Sequence, residues 1–277
     1  MQAHNKHHGN RSFDEITNDL EEARERCDGV VLTGGEVTIR DDILDIIRKA
    51  RALGYSSIQL QSNGRMFASK SFCKECIRAG ANEFAPALHG YCADQHDFLT
   101  RCEGSFNQTV KGIRNLHSLG QRVITNTVVV KPNVSTLPSI AMLLVKLGVH
   151  QYQMAFVHPT GNAWKYFDSI VPSISMAAPY IKQSLQVGID NGVQVMAEAM
   201  PYCLMEEYQH YIAERRIPST EIRSGTVPGT DDFEKQRREQ GKGLFPQCKR
   251  CTYNDVCEGP WKEYPQVRGY SEFIPHP

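Results

Sequence analysis

The sequence has no long hydrophobic run and no net charge. No apolar stretch in its 277 residues approaches the length that spans a bilayer, and the beginning of the chain, MQAHNKHHGNRSFDEI, does not have the form of a signal peptide. The 31 basic residues balance the 31 acidic residues, so charge indicates no polyanionic partner such as a nucleic acid. We therefore expect a cytoplasmic protein with neither a membrane nor a nucleic-acid partner.

The sequence also lacks the glycine patterns that cradle phosphate, since neither the Walker spacing nor Gly-x-Gly-x-x-Gly follows its first apolar run. That run, VVLT, ends instead in Gly34, Gly35 and Glu36. Two glycines at a strand end let a ligand approach the backbone closely, and Glu36 adds a negative charge that suits an ammonium better than a phosphate. A tight turn between a strand and a helix explains the triplet equally well.

Short apolar runs alternate with helical patterns along the first 200 residues. The predicted strands cover residues 29–33, which we expect to be buried, 57–61, 83–88, 122–130, 151–157 and 193–197. The predicted helices cover residues 12–23, opened by a Ser-x-x-Glu capping box, 41–53, 69–79, 105–119, 136–147 and 170–191. This alternation predicts an α/β protein with a parallel sheet, either open or closing as an incomplete barrel, whose ligands bind at the carboxyl ends of the strands.

The rhythm breaks after Pro201. Residues 214–243 are charged and interrupted by Pro and Gly, which predicts a mobile surface linker. A short cysteine-rich tail follows this segment. We therefore divide the chain into a barrel-like domain at residues 1–200 and an extension at residues 201–277.

Cysteine spacing in the extension predicts a metal site. Cys248, Cys251 and Cys257 form a C-x2-C-x5-C pattern, and Cys203 follows the last predicted strand. Four thiolates suit a tetrahedral zinc ion or an iron–sulfur cluster, and ligand softness alone does not choose between the two. Two further cysteines at x-x spacing on a predicted helix, Cys73 and Cys76, we interpret as packing residues.

Together these motifs resemble the radical S-adenosylmethionine enzymes. Gly34-Gly35-Glu36 is similar to the family's Gly-Gly-Glu-Pro motif, with Val37 in place of Pro, and the cysteine tail resembles the auxiliary-cluster extension of one branch. The resemblance implies that Gly34, Gly35 and Glu36 lie against the methionine half of the cofactor. By the same resemblance Ser62, Asn63 and Asn126 also contact it, and Cys203, Cys248, Cys251 and Cys257 hold an auxiliary [4Fe–4S] cluster.

One defining element of the family is missing from the sequence. The C-x3-C-x2-C loop that holds the catalytic cluster after the first barrel strand does not occur. The resemblance then implies a partial (β/α)6 TIM-type barrel lacking its first strand, which would leave residues 29–33 at an open sheet edge. Two interpretations stay open: a fragment that begins at an internal Met, which we favour because the other ligand positions persist, and a paralogue that lost the cluster.

The expected function follows from the resemblance. The intact family reduces S-adenosylmethionine by one electron and uses the resulting radical to take a hydrogen atom from a substrate. For this chain we expect such an enzyme only if the missing loop is supplied, with a peptide or small-molecule substrate and a reductant such as flavodoxin or ferredoxin. The alternative is a non-catalytic scaffold of the same fold whose four cysteines hold structural zinc.

Overall fold

Six strands alternate with helices in the structure, a computed structural model that describes residues 10–224 and 229–277. The strands are β1 (Gly29–Leu32), β2 (Ser57–Ser62), β3 (Glu83–Pro86), β4 (Arg122–Val129), β5 (Gln151–Phe156) and β6 (Gln194–Glu198). The helices are α1 (Phe13–Ala23), α2 (Ile43–Ala52), α3 (Lys70–Ala79), α4 (Ala93–Thr100), α5 (Ser105–Ser118), α6 (Leu137–Lys146), α7 (Asn162–Lys165), α8 (Phe167–Ile170), α9 (Ile174–Asp190), α10 (Phe233–Gln236) and α11 (Tyr264–Arg268). The predicted α/β class is confirmed.

The strands form one parallel sheet in chain order, β1-β2-β3-β4-β5-β6. Val30 lies opposite Ile58 in the pairing of β1 with β2, and Leu60 lies opposite Phe84 in the pairing of β2 with β3. β1 is the first strand of this order, and within the described residues it pairs with β2 alone. The burial expected from its apolar pattern is therefore wrong, because Val31 at this edge is 50% exposed.

Local signals placed the first helices correctly. α1 begins with the predicted capping box: Ser12 Oγ accepts from the Glu15 N–H at 3.2 Å, and Glu15 Oε2 accepts from the Ser12 N–H at 2.7 Å. The apolar face of α2 is buried as its spacing predicts. Its four core residues are Ile43, Ile46, Ile47 and Ala50.

Two helical segments differ from the prediction. The helix predicted at residues 170–191 begins only at Ile174, because Pro172 breaks the pattern and Ser173 caps α9 by accepting from the Met176 N–H at 3.2 Å. The two short helices α7 and α8 precede it. α4 was not predicted, because its sequence, ADQHDFLT, has no apolar stripe at helical spacing.

The described residues form two compact units, each with its own core. One comprises residues 10–126 and 143–152, and its fully buried side chains include Phe67, Phe84 and Leu116. The other comprises residues 127–142 and 153–277 and buries Leu185 and Tyr264. The predicted boundary near residue 200 remains a prediction.

The segment at 214–243 is exposed or half-buried over most of its described length, as its composition predicts, but two of its charged residues are buried. Arg237 is 3% exposed and Lys242 is 1% exposed, so both charged side chains lie in the interior of their unit. The structure does not describe residues 225–228 of this segment. It also does not describe residues 1–9, on which the prediction of a fragment beginning at an internal Met depends. In the described residues, no helix combines the length and the apolar character that crossing a membrane requires.

The cysteines of this chain are free thiols in the structure. All nine lie in described residues and none is paired. Cys73 and Cys76 are fully buried on α3, and burial raises their pKa values to about 11 and about 12. These two thiols are therefore packing groups, as their place on an amphipathic helix predicts.

Candidate cofactor site and cysteine cavity

The loop after β1 leaves open space beside its two glycines. A Cβ atom built on Gly34 or Gly35 would meet no other atom within 4 Å. Gly34 has φ of +151°, which disfavours other residues, but Gly35 has no positive φ. Neither backbone conformation nor packing within the described chain requires glycine at position 35. Close approach of a ligand to the backbone is a physical reason for a glycine there.

Glu36 joins the ends of β1 and β2 through four hydrogen bonds. Its Oε1 accepts from the Thr38 N–H at 3.1 Å, the Thr38 hydroxyl at 2.5 Å and the Ser62 hydroxyl at 2.8 Å. Its Oε2 accepts from the Asn63 N–H at 2.7 Å. The structure thus brings together three of the predicted residues, Glu36, Ser62 and Asn63, because parallel strands end at the same edge of the sheet.

Ser62 and Asn63 also form hydrogen bonds within the loop that follows β2. The Ser62 hydroxyl also accepts from the Gly64 N–H at 3.0 Å, and Asn63 Oδ1 accepts from the Arg65 N–H at 2.9 Å. Both side chains therefore fix the loop after β2. Glu36 Oε2, with one hydrogen bond, keeps an acceptor site for a ligand donor.

Asn126 carries an unused acceptor on β4. Its Oδ1 is buried and has no hydrogen-bond partner in the described structure, and the same holds for the hydroxyl of Thr125. The backbone carbonyl of Asn126 accepts from the Leu88 N–H at 3.3 Å, which fixes the strand at this point. Because buried polar atoms normally have partners, Asn126 Oδ1 fits a position that a ligand hydroxyl or ammonium fills.

The four predicted ligand cysteines line one cavity, which opens to solvent. Cys203 lies in the turn after β6. Cys248 lies within the short turn Pro246–Arg250, Cys251 directly follows that turn, and Cys257 comes six residues later. The apolar side chains of Leu244, Phe245 and Phe273 complete the wall. The extension therefore folds so that thiols 54 residues apart face a common space.

Electrostatics in this cavity favour a cationic occupant. Burial raises the pKa of Cys203 to about 12, and charge repulsion from Cys257, Cys248 and Cys251 acts in the same direction. Burial likewise raises the pKa of Cys257, although N–H groups of its surroundings oppose this. A metal charge supplies the compensation that lets such thiols ionise.

Backbone donors are already directed at two of the sulfurs. The Phe245 N–H donates to Cys248 Sγ at 3.5 Å, and the Gly259 N–H donates to Cys257 Sγ at 3.4 Å. Hydrogen bonds of this kind stabilise thiolate ligands and tune cluster potentials. Within the described residues, no three His, Cys, Asp or Glu side chains converge tightly enough to hold a single metal ion.

The other polar groups at the strand ends are already engaged by their own chain. Arg65 donates to Gln108 at 2.6 Å, and the Lys131 ammonium donates to a main-chain carbonyl at 2.9 Å. The buried His96 accepts from the His89 N–H at 3.0 Å, and desolvation lowers the pKa values of His89 and His96 to about 3 and about 4. These two histidines are therefore neutral and provide no positive charge for an anion.

A buried network of charges went unrecognised in the sequence. Arg237 forms a bidentate ion pair with Glu258, at 2.7 Å for each bond, and Lys242 lies 3.2 Å from the same carboxylate. Lys242 also pairs with Glu214. Charged residues in a Pro- and Gly-rich segment usually lie on the surface, so no signal in the sequence indicated this core.

Comparison with known proteins decides the family. Residues 2–144, about half of the chain, match the family described as the radical SAM superfamily. The chain belongs to this superfamily. Radical SAM proteins use S-adenosylmethionine together with an iron–sulfur cluster, so both cofactors are implied for the family of this chain.

Curated relatives of this radical SAM chain share only part of it. The AdoMet-dependent heme synthase of Oleidesulfovibrio alaskensis is 28% identical over 134 residues, which are 48% of this chain and 34% of that protein. The probable GTP 3′,8-cyclase of Sulfurisphaera tokodaii is 26% identical over 145 residues, 51% of this chain and 45% of that protein. The matched part thus spans a third to a half of these relatives.

Solved structures share the fold over nearly the whole chain. The structure titled native anSMEcpe with bound AdoMet and Kp18Cys peptide superimposes with a TM-score of 0.65 at 12% identity, covering 95% of this chain and 84% of that one. Streptococcus suis SuiB bound to its precursor peptide SuiA gives a TM-score of 0.62 at 11% identity, covering 92% and 66%. At these identities the likeness shows the fold, which is that of radical SAM partial barrels.

Proposed function

We propose that this radical SAM protein binds S-adenosylmethionine at the loop after β1 and holds an auxiliary [4Fe–4S] cluster on Cys203, Cys248, Cys251 and Cys257. The observation that carries the proposal is the convergence of these four cysteines on one cavity in a chain whose family uses iron–sulfur chemistry. S-adenosylmethionine, reduced by one electron, supplies radical chemistry in this family. The residues of this chain bind and orient the cofactor.

The cofactor-binding part of the proposal rests on three features at one sheet edge. The open space at Gly34 and Gly35 admits a ligand to the backbone, and Glu36 holds the loop that presents them. The unpaired Asn126 Oδ1 accepts a hydrogen bond from the ligand. An ammonium or hydroxyl group, both present in S-adenosylmethionine, provides such a donor.

The four-iron assignment of the cysteine cavity rests on the separation of its thiols. A single zinc ion needs its four sulfurs at about 2.3 Å from one point, and no such convergence occurs in the described residues. A four-iron cluster is larger and its thiolate ligands stand farther apart, which suits four thiols that line one cavity without meeting at a single point. Nothing in the described cavity favours a zinc scaffold.

The partners follow from the same proposal. Relatives and neighbours include proteins named for GTP cyclisation and structures titled with bound peptides, so we propose a small molecule or a peptide as substrate. Reduction of S-adenosylmethionine needs a one-electron donor, for which a flavodoxin or a ferredoxin is our prediction.

Substitution of Asn126 tests the cofactor site directly. Asn126→Ala removes the unpaired acceptor and should weaken S-adenosylmethionine binding about tenfold, close to 1.4 kcal/mol, when measured by equilibrium dialysis. The matched control is Asn82→Ala, at the opposite edge of the sheet, where Asn82 accepts from the Ile58 N–H at 2.9 Å. If the Asn126 variant and the wild type bind S-adenosylmethionine equally well, Asn126 on β4 is not part of the cofactor site.

A further inference from the structure

A group of buried charges surrounds the carboxyl end of β6, and neither the cofactor site nor the cysteine cavity uses it. It consists of three carboxylates and two cations, namely Glu198, Glu214, Glu258, Arg237 and Lys242. With every group ionised, one negative charge is left in excess. Arg238 also reaches Glu258, at 3.4 Å, but it is 42% exposed and pairs with the exposed Glu234.

Glu214 has one satisfied and one unsatisfied oxygen. Its Oε1 accepts from the Ala199 N–H at 2.7 Å and from the Lys242 ammonium. Its Oε2 is buried and has no hydrogen-bond partner in the described structure. The Glu214 side chain as a whole is 5% exposed. A buried carboxylate oxygen without a partner is costly, so the structure calls for a donor at this position.

The backbone beside this carboxylate is strained. Ala199, whose N–H donates to Glu214, has φ of +59°, a conformation that side chains with a Cβ atom rarely adopt. Such strain persists only where the surroundings enforce it, and it is concentrated at functional sites. The strained residue directly follows Glu198, the last residue of β6.

Glu198 is placed to hold a proton. The amide of Gln153 on β5 donates to its Oε2, and the carboxyl is partly buried. Burial raises the pKa of Glu198 and the charge of Glu214 raises it further, while Lys242, Arg237 and the Gln153 hydrogen bond act in the opposite direction, and the net pKa is raised. A proton on Glu198 removes the excess charge of the group.

We propose that Glu198 and Glu214 form a subsite for the ammonium group of a ligand, which displaces a proton from Glu198. Carboxylate oxygens accept hydrogen bonds, and the buried group carries an excess negative charge when all its members are ionised. The ligand group that complements both properties is a cation with N–H bonds. Binding of one R–NH₃⁺ releases one H⁺, and the charge of the group is unchanged. Ligands of parallel α/β sheets bind at the carboxyl ends of the strands, and β6 ends at Glu198. The expectation that a ligand reaches this end of β6 is the one part of the inference that rests on the proposed function.

Carbon-13 NMR of the whole chain, labelled at the carboxyl carbons of glutamate, tests the subsite with methylammonium as the probe. Glu198→Gln identifies the Glu198 signal, which should titrate above the ordinary range of glutamate. Methylammonium at ten times its dissociation constant should lower that midpoint by about one pH unit, because it competes with the proton. Tetramethylammonium, which has no N–H bond, should leave the midpoint unchanged.

Two substitutions complete the test. Glu214→Gln should return the Glu198 midpoint toward the ordinary range and abolish the methylammonium effect. Glu263→Gln, which alters the carboxylate 3.1 Å from His158, should change neither. An ordinary midpoint in the wild type, or equal effects of the two ammonium ions, would overturn the proposal even if the Glu214 variant fails to fold. S-adenosylmethionine binding and iron content do not enter this measurement, so its failure is separate from failure of the proposed function.

Discussion

A methyl group at Gly35 would meet no atom of the chain within 4 Å, and the backbone there has no positive φ. Gly35→Ala should therefore change the free energy of unfolding by less than about 0.5 kcal/mol. The same methyl group would occupy the space through which the cofactor approaches the backbone. We expect S-adenosylmethionine binding to weaken about tenfold in equilibrium dialysis, or about 1.4 kcal/mol.

Gly120 provides the matched control for Gly35. A methyl group added there would likewise have no neighbour within 4 Å, but the φ of Gly120 is +69°. Gly120→Ala should lower the free energy of unfolding by about 1 kcal/mol in urea denaturation and leave cofactor binding intact. Unchanged binding in the Gly35 variant would contradict the assignment of this loop.

Glu36 should matter for stability as well as for binding. Its two oxygens accept four hydrogen bonds from Thr38, Ser62 and Asn63, so the amide group of a glutamine would face at least one donor. Glu36→Gln should lower the free energy of unfolding by about 1–3 kcal/mol. Glu25→Gln, at an exposed position of the same unit, serves as the control and should have little effect.

Among the elements, the helices and strands with periodic apolar residues were predictable. α2 buries Ile43, Ile46 and Ile47 because they recur on one helical face, and β2 buries Ile58 and Leu60 because they alternate. The sequence could not reveal α4, whose residues are mostly polar. The exposure of β1 also escaped a pattern-based prediction, because apolar residues indicate a strand but not its position in the sheet.

The site residues divide in the same way. Because parallel strands share a carboxyl edge, the sequence could place Glu36 near Ser62 and Asn63, and their hydrogen bonds confirm that placement. The buried charges of the second unit were unpredictable, because the pair Arg237 and Glu258 joins residues that are 21 positions apart in the sequence. Single-sequence composition assigns such residues to the surface.

The ion pair between Arg237 and Glu258 stabilises the cysteine-rich extension. Its two side chains are 2% and 4% exposed, so removal of the arginine would take two hydrogen bonds from a carboxylate in the interior and leave it one buried cation, Lys242 at 3.2 Å. Arg237→Ala should lower the free energy of unfolding by about 3–5 kcal/mol in urea denaturation. The neighbouring Arg238→Ala should lower it by less than about 1 kcal/mol, because Arg238 is largely solvated. Equal losses from the two variants would contradict a specific role for the buried pair.

For the whole molecule, the superfamily match and the long-range fold likeness agree on a radical SAM protein. The family profile covers residues 2–144, which include the loop after β1 and Asn126. The four cysteines lie beyond that range, in the part whose fold resembles that of anSMEcpe at 12% identity. The cluster proposal therefore depends on the chemistry of the cysteine cavity itself.

The metal content of the purified chain tests the assignment of an iron–sulfur cluster to the cysteine cavity. Iron, sulfide and zinc are counted after anaerobic reconstitution, in the wild type, in Cys257→Ser and in the control Cys102→Ser, whose cysteine lies outside the cavity. We predict about four irons per chain, with sulfide, in the wild type and the control, and loss of this iron in Cys257→Ser. One tightly bound zinc without iron, or full iron binding by Cys257→Ser, would contradict the account.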